Sequence, residues 1–266
     1  MIAEIISVGT ELLLGNIVNT NAQFIAKKLA ETGIEMHYQT VVGDNPERII
    51  AALDIAYTRA DMTILTGGLG PTKDDITKEK LAEYFHKKLV INEEAMQHMS
   101  ALLEKVQKPS LIDSMRKMAL VPDDSLILHN HHGIAPGCIM KDGKKICILL
   151  PGPPKEMEPM FEEYCMPYLK EISHQVIVSV NIKMLDFDHA PVTIVGEAPV
   201  ADALGELLDG ENPTVATYAK EDGCLIRITA RAVDRQRALE LIEPVKEKCR
   251  AILKDEYIQW IREETE

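Results

Sequence analysis

A chain of 266 residues with a formal net charge of −13 can bury the cores of two modest domains, and its acidity argues against broad nucleic-acid binding, which needs a basic surface. The same charge repels an anionic small molecule at long range, so a phosphate ligand needs local compensation by a cation. No run of about twenty apolar residues is long enough to cross a membrane, the opening Met1-Ile2-Ala3-Glu4-Ile5 has no basic start or cleavage site, and five scattered cysteines read as reduced thiols; a cytoplasmic protein is expected.

Along the first two thirds of the chain, strands and helices alternate. Residues 3–8 read as a strand, 22–32 as an amphipathic helix, 35–42 as a strand, 46–59 as a helix and 62–66 as a buried strand. Segments 78–88, 93–106 and 110–120 have helical patterns, and 125–128, 137–140 and 145–150 are strand-like, the last two joined through the turn Asp142-Gly143. This alternation predicts a three-layer α/β fold with a mainly parallel sheet and an antiparallel edge. From about residue 173 the pattern changes. A strand at 175–185, a helix at 199–208, a hairpin of 214–220 and 224–233 across Glu221-Asp222-Gly223, and a helix at 235–253 predict a small α+β unit. Domains are accordingly expected at 1–172 and 173–254, with 255–266 as a tail.

Three strand-to-loop-to-helix junctions carry the chemistry. In Leu65-Thr66-Gly67-Gly68-Leu69-Gly70-Pro71-Thr72-Lys73-Asp74-Asp75-Ile76-Thr77, Gly67, Gly68 and Gly70 let the backbone take positive φ and turn its N–H groups toward an anion. Thr72 adds a hydroxyl, and the helix start near Thr77 adds a positive dipole end. Asp74 and Asp75 repel phosphate unless a hard cation intervenes, although Asp also favours helix starts for local reasons. No Walker A box or Rossmann glycine spacing is present. The first strand delivers Thr10 and Glu11 to the carboxyl edge of such a sheet, where ligands bind. Asn19, Thr20 and Asn21 precede the first helix; one is expected as its N-cap, which leaves two unexplained. The third junction, Pro151-Gly152-Pro153-Pro154-Lys155-Glu156, starts another helix with Pro154 and Glu156 in its first turn.

Taken together, Gly9-Thr10-Glu11-Leu12-Leu13 with Gly15 and Asn19-Thr20-Asn21, the glycine loop with Asp74-Asp75 and Thr77, and Pro151-Gly152-Pro153-Pro154 with Glu156-Met157 resemble the competence/damage-inducible protein A (CinA) family. Its first domain shares the molybdopterin-binding fold of molybdenum cofactor biosynthesis proteins. The resemblance, which runs to about residue 170, implies a metal-dependent pyrophosphatase that cleaves ADP-ribose, its nucleotide substrate, to AMP and ribose 5-phosphate. In that reading Asp75, Glu11 and Glu156 are catalytic. Asp74, Asp75 and Glu11 hold Mg²⁺, Mn²⁺ or Co²⁺, and Thr10, Asn19, Asn21, Gly67, Gly68, Gly70, Thr72, Arg116, Lys117 and Gly152 contact substrate. It also implies a KH-like second module, better suited to packing or dimerisation than to RNA since no Gly-x-x-Gly loop occurs, and a homodimer or larger homo-oligomer. Gly196-Glu197 resembles a family turn that reaches toward a neighbouring active site.

Where relatives often carry Asn-Arg-Lys-Gln-Ala, this chain has Met115-Arg116-Lys117-Met118-Ala119, which bears on the substrate more than on the metal. A nicotinamide mononucleotide deamidase domain, found in longer members, is expected to be absent. The alternatives are a molybdopterin or adenylylated-pterin binding protein using the same edge, and a nucleotide-sensing module without catalysis. His129, His131 and His132 cluster in an expected turn, and no fourth ligand stands at zinc-like spacing.

Overall fold

The computed structural model describes residues 1–173, 175–185, 196–220, 223–257 and 261–265. They divide into one unit of Met1–Leu29 with Ile34–Ile172, and a second of Ala30–Gly33 with Ser173–Glu266.

The first unit opens with β1 (Ile2–Val8), a helical turn α1 (Thr10–Leu13), α2 (Thr20–Glu31), β2 (Glu35–Val42), α3 (Pro46–Ala56) and β3 (Met62–Thr66). It continues through α4 (Thr77–Tyr84), β4 (Leu89–Ile91), α5 (Glu93–Lys105), α6 (Ile112–Met115), β5 (Leu120–Pro122), β6 (Leu126–Leu128), β7 (Gly137–Asp142), β8 (Lys145–Leu150), α7 (Pro154–Met160) and α8 (Met166–Ser173). The main sheet has the order β2-β1-β3-β8-β7-β6. The pairs β1–β2, β1–β3 and β3–β8 are parallel, whereas β7 pairs antiparallel with both β8 and β6. The mainly parallel sheet with an antiparallel edge is therefore as the alternating pattern predicts.

Parallel strands must be covered on both faces, and β3 is buried at all five positions. Successive side chains point to opposite faces: Ile5, Ile64 and Ile148 enter one core with α2, α7 and α8, while Ile6, Leu65 and Leu149 enter the other with α3 and α4. One π-type turn, Phe161–Cys165, joins α7 to α8. Within β1, the fully buried Glu4 accepts from Arg59 Nε at 2.9 Å, Arg59 Nη2 at 2.8 Å and Thr40 Oγ1 at 2.6 Å. Burial alone pushes its carboxyl up, but these three bonds and the guanidinium charge outweigh it and the net shift is downward.

Two helical expectations are corrected. The pattern at 78–88 ends as a helix at Tyr84, since His86 turns to φ 53° and the chain then enters the small antiparallel pair β4–β5. The stretch 110–120 is broken into α6 flanked by the 3-10 turns Pro109–Leu111 and Arg116–Ala119.

The second unit contains β9 (Val176–Leu185), α9 (Glu197–Leu204), β10 (Thr214–Lys220), β11 (Gly223–Ala232), α10 (Arg235–Tyr257) and β12 (Ile261–Thr265). Its sheet runs β10-β11-β9-β12, all antiparallel, with α9 and α10 packed on its core through Val200, Leu204, Ala238, Ile242 and Cys249. Residues 261–265, expected as part of a tail, instead form β12 on β9, and α10 runs to Tyr257. The expected turn residues Glu221 and Asp222 lie outside the described residues. No helix among the described residues is long and apolar enough to cross a membrane.

Candidate functional site

At the carboxyl edge of β1, β3 and β8 the loops enclose a cleft of about 470 Å³. Open α/β sheets place ligands there because strand ends deliver loop side chains and helix N-termini to one crevice. Of the expected site residues, Glu11, Asn19, Asn21, Gly67, Gly68, Gly70, Asp74, Asp75, Gly152 and Glu156 line it, together with Asp44. Its walls carry five carboxylates, and no lysine, arginine or histidine is among the lining residues.

The glycine loop is built by necessity. Gly67 and Gly68 adopt φ 99° and 70°, the left-handed region that side chains disfavour. A Cβ on Gly67 would lie 2.2 Å from Val8 O, and one on Gly68 2.0 Å from Thr77 Oγ1. Gly70 has no room either, because the Asp75 carboxylate packs against it, with Oδ2 2.4 Å from where a Cβ would stand. Asp75 Oδ2 accepts from Thr72 N at 2.9 Å, and Thr72 Oγ1 lies 2.5 Å from both Asp75 Oδ2 and Asp74 Oδ1. One hydroxyl proton cannot serve both carboxylates, so this trio of hard oxygens lacks positive charge. The Thr72 hydrogen bond holds the Asp74 carboxyl below its usual range.

On the opposite wall, Asn19 is the N-cap, its Oδ1 accepting from Ala22 N at 3.2 Å while its Nδ2 donates to Ser7 Oγ at 2.9 Å. Asn21 Nδ2 donates to Gly152 O at 2.7 Å, joining the first junction to the third. Glu156 Oε2 accepts from Asn130 Nδ2 at 2.9 Å, and Gly133 leaves room for that carboxylate, 2.0 Å from where its Cβ would stand.

Four expected contact residues do not line the cleft. Thr10 Oγ1 donates to Asp44 Oδ2 at 2.9 Å and fastens the first junction to the end of β2. Thr72 gives its hydroxyl to the aspartates, and Arg116 is exposed. Lys117, expected on phosphate, points its ammonium at the carbonyls of Thr72 and Asp75 and at Glu79. Sequence reasoning missed Asp44 as a cleft residue; its signal was Gly43-Asp44-Asn45 at the end of a strand, the same placement as Glu11.

Among the described residues no group of three or more His, Cys, Asp or Glu side chains converges to hold a metal. Glu11 with Asp74 and Asp75 thus forms no closed cage. The Asp74–Thr72–Asp75 oxygens suit Mg²⁺ in the open form in which that ion keeps waters and binds one or two carboxylates plus ligand phosphate. His129 and His131, with His98 and Glu94, line a separate small cavity of about 50 Å³, where His129 pairs with Glu94 at 3.3 Å and His131 meets Tyr164 Oη at 3.2 Å; His132 is not among its lining residues. Glu197 in the second unit accepts from Ala219 N at 2.8 Å, within its own domain.

Residues 4–171 match a family model described as a probable molybdopterin binding domain, and 192–258 one described as the damage-inducible protein CinA KH domain. A CinA-like protein of Kosmotoga olearia is 47% identical over the whole chain, which covers 62% of that relative. One of Dictyoglomus thermophilum is 46% identical over 96% of the chain and 60% of the relative. The chain thus spans about three fifths of the length of these curated relatives. A solved structure of the protein CinA with unknown function from Thermoplasma acidophilum is 38% identical with a TM-score of 0.55, covering 60% of this chain and 94% of that one. These matches overturn the ADP-ribose pyrophosphatase expectation: the model matched over the cleft-bearing domain is described as a probable molybdopterin binding domain, and none of these matches is described as a diphosphatase. The chain belongs to the CinA family, with a molybdopterin-binding-type domain followed by a CinA KH domain.

Proposed function

We propose that the cleft binds a phosphorylated pterin, molybdopterin or its adenylylated form. The observation that carries this reading is the pairing of a glycine loop with walls of carboxylates and no cationic side chain. A pterin ring presents an amino group and ring N–H groups, donors that carboxylates accept, and its phosphate finds backbone N–H groups at Gly68 and Gly70, while that of Gly67 is given to Leu150 O at 3.1 Å. Asp74, Asp75 and Thr72 would hold a divalent ion, which supplies the positive charge that lets phosphate approach carboxylates. Asn21 and Gly152 join the first and third junctions, and Asn130 orients Glu156.

The test is a fluorescence titration of the purified chain with a 6-substituted pterin phosphate, with and without Mg²⁺, beside AMP as a control. The expected result is Mg²⁺-dependent pterin binding that Asp75→Asn weakens by about tenfold or more, ~1.4 kcal/mol. No pterin binding under either condition, or AMP binding alone, overturns the proposal. We also propose a homodimer or larger homo-oligomer in the cytoplasm. Supporting it are the exposed Leu13, Leu14, Ile17 and Val18 beside the cleft and five free, buried thiols. A monomer mass by light scattering refutes the assembly.

A further inference from the structure

One buried cation of the first unit lies outside the cleft lining and serves a backbone far from its own. Lys78, in the first turn of α4, is 2% exposed, and its ammonium donates to Lys117 O at 3.2 Å and Met118 O at 3.0 Å. The contact is returned. Lys117 Nζ donates to Thr72 O at 3.2 Å and to Asp75 O, with Glu79 Oε1 at 3.3 Å. Each lysine thus holds the chain segment that carries or precedes the other, and both segments supply the cleft wall, through Asp74 and Asp75 on one side and Met118 on the other.

We infer that Lys78 and Lys117 are reciprocal positioning residues that lock the 72–75 loop and the 116–119 turn into one piece, fixing where Asp75 and Met118 stand in the cleft. The chemistry favours an ammonium at this place. Three N–H donors serve two carbonyls at once, and the charge strengthens each bond. A neutral amine keeps two donors and loses the charge. Burial pushes Lys78 down to about 8; the charges of Glu79 and Asp75 oppose that shift and Lys117 adds to it, while the buried Cys138 thiol nearby stays neutral. An opening that returns Lys78 to water therefore becomes harder as the pH rises through about 8, where only the opened form keeps the proton. An arginine at position 78 stays charged over that range.

The inference concerns the ligand-free chain, so its test is independent of whether a pterin binds. Hydrogen exchange followed by mass spectrometry is measured for the full chain at neutral pH in wild type, Lys78→Met, Lys78→Arg and Lys117→Met. Lys78→Met and Lys117→Met are each expected to speed exchange about tenfold in both 70–76 and 116–120 while β1 and β3 keep their protection. The double variant is expected to be no faster than either single one, because both act on one lock. Should Lys78→Met fail to fold, the pH profile decides. Protection factors in wild type, corrected for intrinsic base catalysis, rise between about pH 8 and 10, because an opened segment with Lys78 in water binds a proton that the closed one does not, and in Lys78→Arg they stay flat. Exchange that changes only in α4 when Lys78 is truncated, or a wild-type profile as flat as that of Lys78→Arg, overturns the inference.

Discussion

Glu4 and Asp75 belong to one domain and carry the same functional group, yet they sit in opposite surroundings. Glu4 is enclosed by the Arg59 guanidinium and the Thr40 hydroxyl, and both of its oxygens are used. Asp75 shares one hydroxyl proton with Asp74 and faces a cleft whose lining has five carboxylates and no basic side chain. Charge placed for folding is neutralised by a directly bonded guanidinium, whereas the Asp74–Asp75 pair has no cation bonded to its carboxylates and only the more distant charges of Lys117 and Lys78.

The comparison breaks most visibly at Arg59. Arg59→Met leaves Glu4 buried without its cation and is expected to lower Tm by roughly 5–10 °C in a thermal melt. The acid limb should move too. Because the folded Glu4 carboxyl titrates below its usual range, its contribution is present at neutral pH and is lost as the pH falls through the folded value; in Arg59→Met burial is opposed by Thr40 alone, so the shift turns upward and acid restores part of the lost stability. Next in size, Gly68→Ala puts a methyl 2.0 Å from Thr77 Oγ1 at φ 70° and is expected to cost about 2 kcal/mol in urea titrations. Lys78 gives a pH-dependent effect of the same sign as Glu4 in wild type, in an alkaline window. Its folded value of about 8 lies under that of a free lysine, so between the two the unfolded chain binds more protons and stability rises with pH, by at most ~1.4 kcal/mol per unit. Lys78→Met removes that slope, as melts from pH 7 to 10 would reveal. Smallest is Asp75→Asn, which keeps an acceptor for Thr72 N and removes one uncompensated charge. Its stability is expected to change by under about 1 kcal/mol, upward, while pterin binding weakens by about tenfold or more.

The sheet and its ligand edge were legible because their signals are local. Continuous apolar runs such as Met62–Thr66 mark strands buried on both faces, and glycines followed by Asp at a strand end mark the crevice. Segments that depend on distant partners were not legible. The three-residue strands β4 and β5 are too short to show a period and exist through each other. The helical pattern after residue 110 is overridden where Lys78 captures the carbonyls of 117 and 118. Lys117 read as a substrate ligand from the family resemblance at residues 115–119; only the fold reveals that carbonyls already hold its ammonium. Strand β12 likewise needs β9 beside it.

The π-type turn between α7 and α8 bears on how chain length can vary. Met157, Phe161, Cys165 and Leu169 all enter one core, yet three steps of four residues along an ordinary α-helix would rotate the last away from the first by about 120°. The wide turn absorbs that rotation. Removing one residue there, for example Glu163, shortens one step to three and brings the drift of a plain helix down to about 20°. A core helix, usually the least forgiving place for a deletion, is here expected to accept one and still melt cooperatively, so the turn marks a site where the family's chains can differ by one residue without rebuilding the domain.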